Sequence, residues 1–113
     1  MIYTIEQLKE RIMPVAVKYN LPAVYIFGSY ARGEATNNSD IDVLVDRSGA
    51  DLIGLFKMGG LYEDLSEAIG KSIDLVTTDA LDDESIIKRT PWFIENLKTE
   101  RIVLYERTGY STN

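Results

Sequence analysis

Apolar residues recur along the chain first at helical and then at strand intervals, and the alternation repeats. Ile5, Leu8, Ile12, Val15 and Tyr19 follow one another at three- and four-residue steps, the spacing of one helix face. Thr4 and Gln7 stand just ahead in capping-box spacing, which predicts a helix beginning after Thr4. Pro14 lies inside this run and is expected to kink or split the helix, because a proline lacks the N–H that would bond back to the preceding turn. Asn20 and Pro22 are expected to end it. Ala23-Val24-Tyr25-Ile26-Phe27 is an apolar run with strand character that stops abruptly at Gly28-Ser29. A short helical turn is predicted over Tyr30-Ala31-Arg32, followed by a polar loop from Glu34 to Ser39. Asp40-Ile41-Asp42-Val43-Leu44-Val45-Asp46 is predicted as a second strand.

The second half continues the pattern. A helix is predicted over about residues 51–69, with Gly59-Gly60 weakening its middle. Ser72-Ile73-Asp74-Leu75-Val76-Thr77 is a third predicted strand. Asp79 is a candidate cap for a short helix through Ile87. Thr90-Pro91 is a good cap and first-position pair for a further helix carrying Trp92, Phe93 and Leu97. Ile102-Val103-Leu104-Tyr105 reads as a last strand. Helices alternating with strands predict an α/β domain. A length of 113 residues, 45% of them apolar, suits one such domain over residues 1–107, with a polar and loose tail over 108–113.

Composition narrows the chemistry. No stretch approaches the ~20 apolar residues of a membrane span, and the charged start lacks the layout of a signal peptide. A cytoplasmic location is therefore expected, and the absence of Cys agrees with it. The net charge of −6 and the lack of any Lys/Arg run argue against long nucleic acid as a partner. There is no His, which removes Ser-His-Asp triads, His-based zinc sites and His general bases. Catalysis would have to rest on carboxylates, hydroxyls, Lys/Arg or metal ions.

Two features carry candidate chemistry. Gly28-Ser29 lies where an apolar strand meets a helix start, a junction that offers backbone N–H groups to an anion. Gly28 lets a phosphate approach closely, the Ser29 hydroxyl can add a hydrogen bond, and Arg32 lies about one helical turn further on. Read alone, the dipeptide more often marks a tight turn with a surface Arg, and the Lys-Ser/Thr ending of a Walker A loop is missing. The other feature is acidic. Asp40 and Asp42 are two apart on a predicted strand and so share one face, while Ile41, Val43 and Val45 turn to the other. A divalent cation would relieve their repulsion, and Mg²⁺ favours a few carboxylates plus triphosphate oxygens. Asp74 interrupts another apolar strand, where a charge is costly unless paired. On a neighbouring strand it can join the same site and, with no His present, serve as base. Taken singly, Asp-x-Asp is more often the polar face of an edge strand, and Asp74 a salt-bridge partner. Asp46 shares the parity of Asp40 and Asp42 but sits roughly 13 Å beyond Asp42 at strand rise, and reads as a turn residue.

Together the parts are more specific. Gly-Ser, ten intervening residues and Asp-x-Asp should coincide by chance in roughly one chain of this size per thousand. GSYARGEATNNSDIDVLVD resembles the signature of the DNA polymerase β-like nucleotidyltransferase superfamily, and more closely that of the minimal nucleotidyltransferase (MNT) group. The resemblance spans Gly28 to Asp46, and Asp74 matches the third acidic position. It implies a mixed sheet flanked by helices, Gly28 and Ser29 at a triphosphate, and Asp40, Asp42 and Asp74 as metal ligands and catalytic groups. It further implies an antitoxin that moves AMP from ATP to a tyrosine hydroxyl of a HEPN-domain ribonuclease toxin. The expected reaction is in-line attack by the acceptor hydroxyl on the α-phosphate. Two Mg²⁺ ions would clamp the reacting oxygens, and Gly28, Ser29 and Arg32 would place the β- and γ-phosphates. Such a small domain has little room for a large acceptor, so a partner protein is expected to supply it. Tyr30, Tyr62, Trp92, Phe93 and Tyr110 are candidate contacts, although Trp92 and Phe93 fit a core role better. Two rivals stay open: modification of a small molecule of aminoglycoside type, and an antitoxin that blocks its toxin by binding alone.

Overall fold

The computed structural model describes residues 2–48, 55–79, 84–89 and 91–107. Its first helix, α1, runs over Ile5–Lys18 and starts as its capping residues dictate. Gln7 donates its backbone N–H to Thr4 Oγ1 at 3.1 Å, and the Thr4 backbone N–H returns a bond to Gln7 Oε1 at 2.9 Å. Pro14 does not split the helix. It lies on the exposed side of α1, where water can satisfy the carbonyl that loses its partner. Leu8, Ile12, Val15 and Ala16 form the buried stripe.

The remaining elements follow the expected order. They are β1 (Ala23–Phe27), α2 (Gly28–Arg32), β2 (Ile41–Asp46), α3 (Leu55–Ile69), β3 (Ile73–Thr77), α4 (Glu84–Arg89), α5 (Pro91–Glu100) and β4 (Ile102–Glu106). The first four residues of the helix expected over 51–69, the Thr90 cap and the tail from Thr108 lie outside the described residues. Asp79 receives Arg47 Nε and Nη2 at 3.0 and 2.7 Å, a two-pronged bond of the kind a guanidinium favours, and the segment between it and α4, on which its expected capping role rests, lies outside the described residues.

The four strands form one mixed sheet in the order β3-β2-β1-β4. The β1–β2 and β1–β4 pairs are antiparallel, whereas β2 and β3 run parallel. A parallel pair cannot be joined by a hairpin, and α3 supplies the crossover. Strand alternation sorts the side chains onto two apolar faces. On one face, Val24, Ile26, Ile41, Val43, Val45, Ile73 and Leu104 pack with α1 and with Leu61, Leu65 and Ile69 of α3. On the other, Ala23, Tyr25, Phe27 and Leu44 pack with Ile94 and Leu97 of α5. Towards β3 this second face lines a cleft, with Asp74, Leu75 and Val76 among its lining residues.

The core argument yields a stability prediction. Leu65 is fully buried between α3 and the sheet. Leu65→Ala is expected to cost about 2–5 kcal/mol in urea unfolding, by lost transfer energy and the cavity left behind. Thr4→Ala is expected to cost only about 1 kcal/mol, the value of one helix cap.

Candidate active site

The sheet register brings the acidic residues together. Asp42 pairs with Phe27 across the antiparallel β1–β2 ladder and with Asp74 across the parallel β2–β3 ladder. Phe27, Asp42 and Asp74 thus occupy one row across three strands and project from one face. Gly28 follows immediately, with φ of +70°. A Cβ on Gly28 would lie 2.1 Å from Asp42 Oδ2. Glycine is required there twice, once for the left-handed backbone and once because the carboxylate occupies the side-chain position. The turn and the acid are therefore one packed unit.

The two carboxyl groups meet within hydrogen-bonding reach, with Asp42 partly buried and Asp74 exposed. Burial pushes the Asp42 carboxyl up to about 6, and the Asp74 carboxylate beside it adds to the shift. Asp40 raises it further, while Arg32 opposes the rise. Asp40 itself precedes β2, is exposed, and does not line the cleft around Asp42. Among the described residues, no three acidic groups are gathered closely enough to form a metal cage.

Asp42 and Asp74 open into a cleft of about 430 Å³, within the range of small-ligand sites. Gly28 and Arg32 line one side of it and α5 the other. Ser29, beside Gly28, is partly exposed. The Arg32 side chain faces the cleft as expected but is held by two carboxylates. Nε donates to Glu34 Oε1 at 2.6 Å and Nη1 to Glu100 Oε2 at 3.3 Å. Gly33, at φ +73°, turns the chain away after it. Asp46 closes β2 as a turn residue, accepting bonds from the Ser48 backbone N–H at 2.9 Å and its hydroxyl at 2.7 Å.

Several side chains differ from expectation. Tyr30 is buried, not exposed, because α2 folds back over the sheet and packs it into the larger core. Its hydroxyl accepts a bond from Lys71 Nζ at 3.1 Å. Trp92 is the reverse case: expected in the core, it is 65% exposed at the cleft rim. Ile94 and Leu97 take the buried face of α5 instead. Tyr62 is exposed, Tyr110 lies outside the described residues, and the Phe93 side chain is likewise not described. Asn96 and Glu100 also line the cleft and were not singled out from the sequence. The four-residue steps from Trp92 to Asn96 to Glu100 were the available signal, since they place all three on one helix face.

A short mixed sheet that sets an acidic pair against a glycine turn defines a nucleotidyltransferase type of domain. Residues 10–108 match the family described as Polymerase beta, Nucleotidyltransferase, and the chain belongs to that family. Among its relatives, the Methanocaldococcus jannaschii protein named "Putative protein adenylyltransferase MJ0435" is 38% identical over 78 residues, covering 68% of this chain and 81% of its own. Protein adenylyltransferase MntA of Thermococcus cleftensis is 38% identical over 64 residues, covering 57% of this chain and 63% of its own. A solved toxin–antitoxin structure with AMP-PNP contains a similar fold, with a TM-score of 0.62 and 25% identity, covering 88% of this chain and 74% of that one. No helix among the described residues is long and apolar enough to cross a membrane.

Two measurements check the site's physics. Gly28→Ala is expected to lose about 1–3 kcal/mol of unfolding free energy, from φ strain and displacement of Asp42. Asp42→Asn, in metal-free solution, is expected to raise stability. The folded carboxyl titrates near 6 against an ordinary value of 3.8. Its favourable contribution is therefore complete below about pH 4 and is lost as pH rises through 6. The variant should exceed the native chain by about 1 kcal/mol at pH 7.5, since partial exposure screens the effect, and match it below pH 4. Thermal unfolding across that range reads both limits.

Proposed function

We propose that the chain is a Mg²⁺-dependent protein adenylyltransferase. It transfers AMP from ATP to a hydroxyl, a tyrosine by family likeness, on a HEPN-domain ribonuclease toxin, and so acts as that toxin's antitoxin in the cytoplasm. The observation that carries this reading is the Asp42–Asp74 pair abutting Gly28 in an open cleft. The relatives named protein adenylyltransferases and the toxin–antitoxin neighbour with AMP-PNP support it.

The donor set fits Mg²⁺. It offers hard carboxylate oxygens, and a divalent cation would offset both the burial of the Asp42 carboxyl and the repulsion from Asp74 that raise it. Asp42 and Asp74 would hold the ions, with Asp40 joining from the start of β2 by rotation of its exposed side chain. Bound there, Mg²⁺ supplies neutralisation of the triphosphate and of the charge that develops on reaction. The chain's own residues do the rest. Gly28 and Ser29 offer backbone N–H groups and a hydroxyl to the β- and γ-phosphates, and Arg32 exchanges Glu34 and Glu100 for phosphate oxygens. The acceptor hydroxyl oxygen forms a bond to the α-phosphorus while the bond from that phosphorus to the β-bridging oxygen breaks. Pyrophosphate leaves, and Asp74 takes the hydroxyl proton. Positioning and charge account for most of the rate gain. The cleft is open enough for an acceptor presented by another protein.

The test is to incubate the chain with α-labelled ATP, Mg²⁺ and a HEPN-domain partner. Label is expected on the partner and should fall at least 100-fold in Asp42→Ala, in line with loss of a group that stabilises developing charge. Neutralisation of the toxin that survives Asp42→Ala would sink the enzymatic account, and label only on an added aminoglycoside would redirect it to small molecules.

A further inference from the structure

The cleft has a second wall whose chemistry the transfer reaction leaves unused. Trp92, Asn96 and Glu100 are spaced by four, and all line the cleft that contains Asp42 and Asp74. They present an indole, an amide and a carboxylate along one face of α5. This face is distinct from the one that fastens the helix, because Ile94 and Leu97 are buried against Tyr25, Phe27 and Leu44. The two ends of the wall differ in character. At one end Glu100 binds Arg32 at 3.3 Å, next to Gly28. At the other, Trp92 is 65% exposed at the rim. The floor between them includes apolar Phe27, Leu75 and Val76. Eight residues of helix separate Trp92 from Glu100, or about 12 Å along the axis. That is the scale on which the triphosphate and base of an extended nucleotide are separated.

The geometry points to this face of α5 as the nucleobase subsite, with the Trp92 indole stacking on the base and the Asn96 amide reading its edge. The inference rests on the adenylyl-transfer reading and deepens it by assigning base selectivity to named side chains. The phosphates then lie at the Gly28–Arg32 end and the base at the Trp92 end, so both halves of the nucleotide have a place in one cleft. An indole supplies a π-face that any base can stack on. Selectivity falls to Asn96, whose amide carries both a donor and an acceptor. Adenine offers the complementary N6 amino donor and N7 acceptor, whereas guanine offers two acceptors at its corresponding edge. Asn96 therefore favours ATP over GTP.

The chain contains a single tryptophan, so its intrinsic fluorescence reports on Trp92 alone. MgATP is expected to change that emission. Magnesium tripolyphosphate, which carries no base, should bind by calorimetry and leave the emission unchanged. Trp92→Ala should weaken MgATP binding about tenfold, the low end of what one stacked base contributes. Tripolyphosphate binding should stay within about twofold, and Trp92→Phe should recover most of the loss. Asn96→Ala should narrow the preference for ATP over GTP by about fivefold, as expected for loss of part of a bidentate contact. Circular dichroism confirms that these surface variants fold. MgATP binding with unchanged emission and an unaffected Trp92→Ala variant would overturn the subsite while leaving adenylyl transfer intact. An emission change that appears only when a partner protein is added would overturn it too, by making Trp92 a protein contact. Absence of MgATP binding by the native chain would overturn both readings.

Discussion

Two carboxyl groups meet where β2 and β3 run parallel, and the glycine that follows β1 packs directly against one of them. The register Phe27–Asp42–Asp74 aligns the pair in a single row. Gly28 then backs onto Asp42 so closely that no side chain fits between them. Everything else in the domain serves this juxtaposition. The α3 crossover makes the parallel pairing, and the turn after β1 gives Gly28 its positive φ. The cost appears as the raised Asp42 carboxyl, which burial shifts most and the neighbouring Asp74 shifts further.

The sheet supports that cost by an unequal division of its faces. One face is fully covered by α1 and α3 and contains most of the buried residues. Among the described residues, the other is covered by α5, through Ile94 and Leu97, and a cleft lies where Asp42 and Asp74 emerge. A fully covered second face would bury both carboxylates without water or a counter-ion, at a prohibitive desolvation cost. The half-covered sheet is what lets a charged site sit on a small hydrophobic core.

The charge balance of the cleft also bears on the proposed chemistry. Among the described residues, Asp42, Asp74 and Glu100 line it, against the guanidinium of Arg32. That guanidinium is already shared by Glu34 and Glu100. A triphosphate entering such a cleft meets net negative potential, so divalent cations are a physical requirement of the reading and not an accessory to it. The pairs on Arg32, at 2.6 and 3.3 Å, are open to solvent, which keeps their exchange for phosphate inexpensive.

Much of this was legible in the residues themselves. The Thr4–Gln7 box, the stripe on α1 and the four strands follow from local periodicity, as does the common parity of Asp40 and Asp42. Spacing and the family resemblance together pointed to Asp74 as a third acid. Local pattern reports which residues share a face of one element, however, and not what lies opposite that face. Hence the sequence could not place Asp74 directly beside Asp42, because parallel register is set by the long-range α3 crossover. Nor could it foresee that Tyr30 would be buried and Trp92 exposed, since an aromatic residue suits either setting until its neighbours are fixed. Asp40 lies exposed outside the cleft lining and Arg32 is shared by two glutamates for the same reason: charge partners are chosen in space. The chain alone determined its elements and the acids they carry. The tertiary structure decided which of those acids meet, because only folding sets the distance and burial on which their interaction depends.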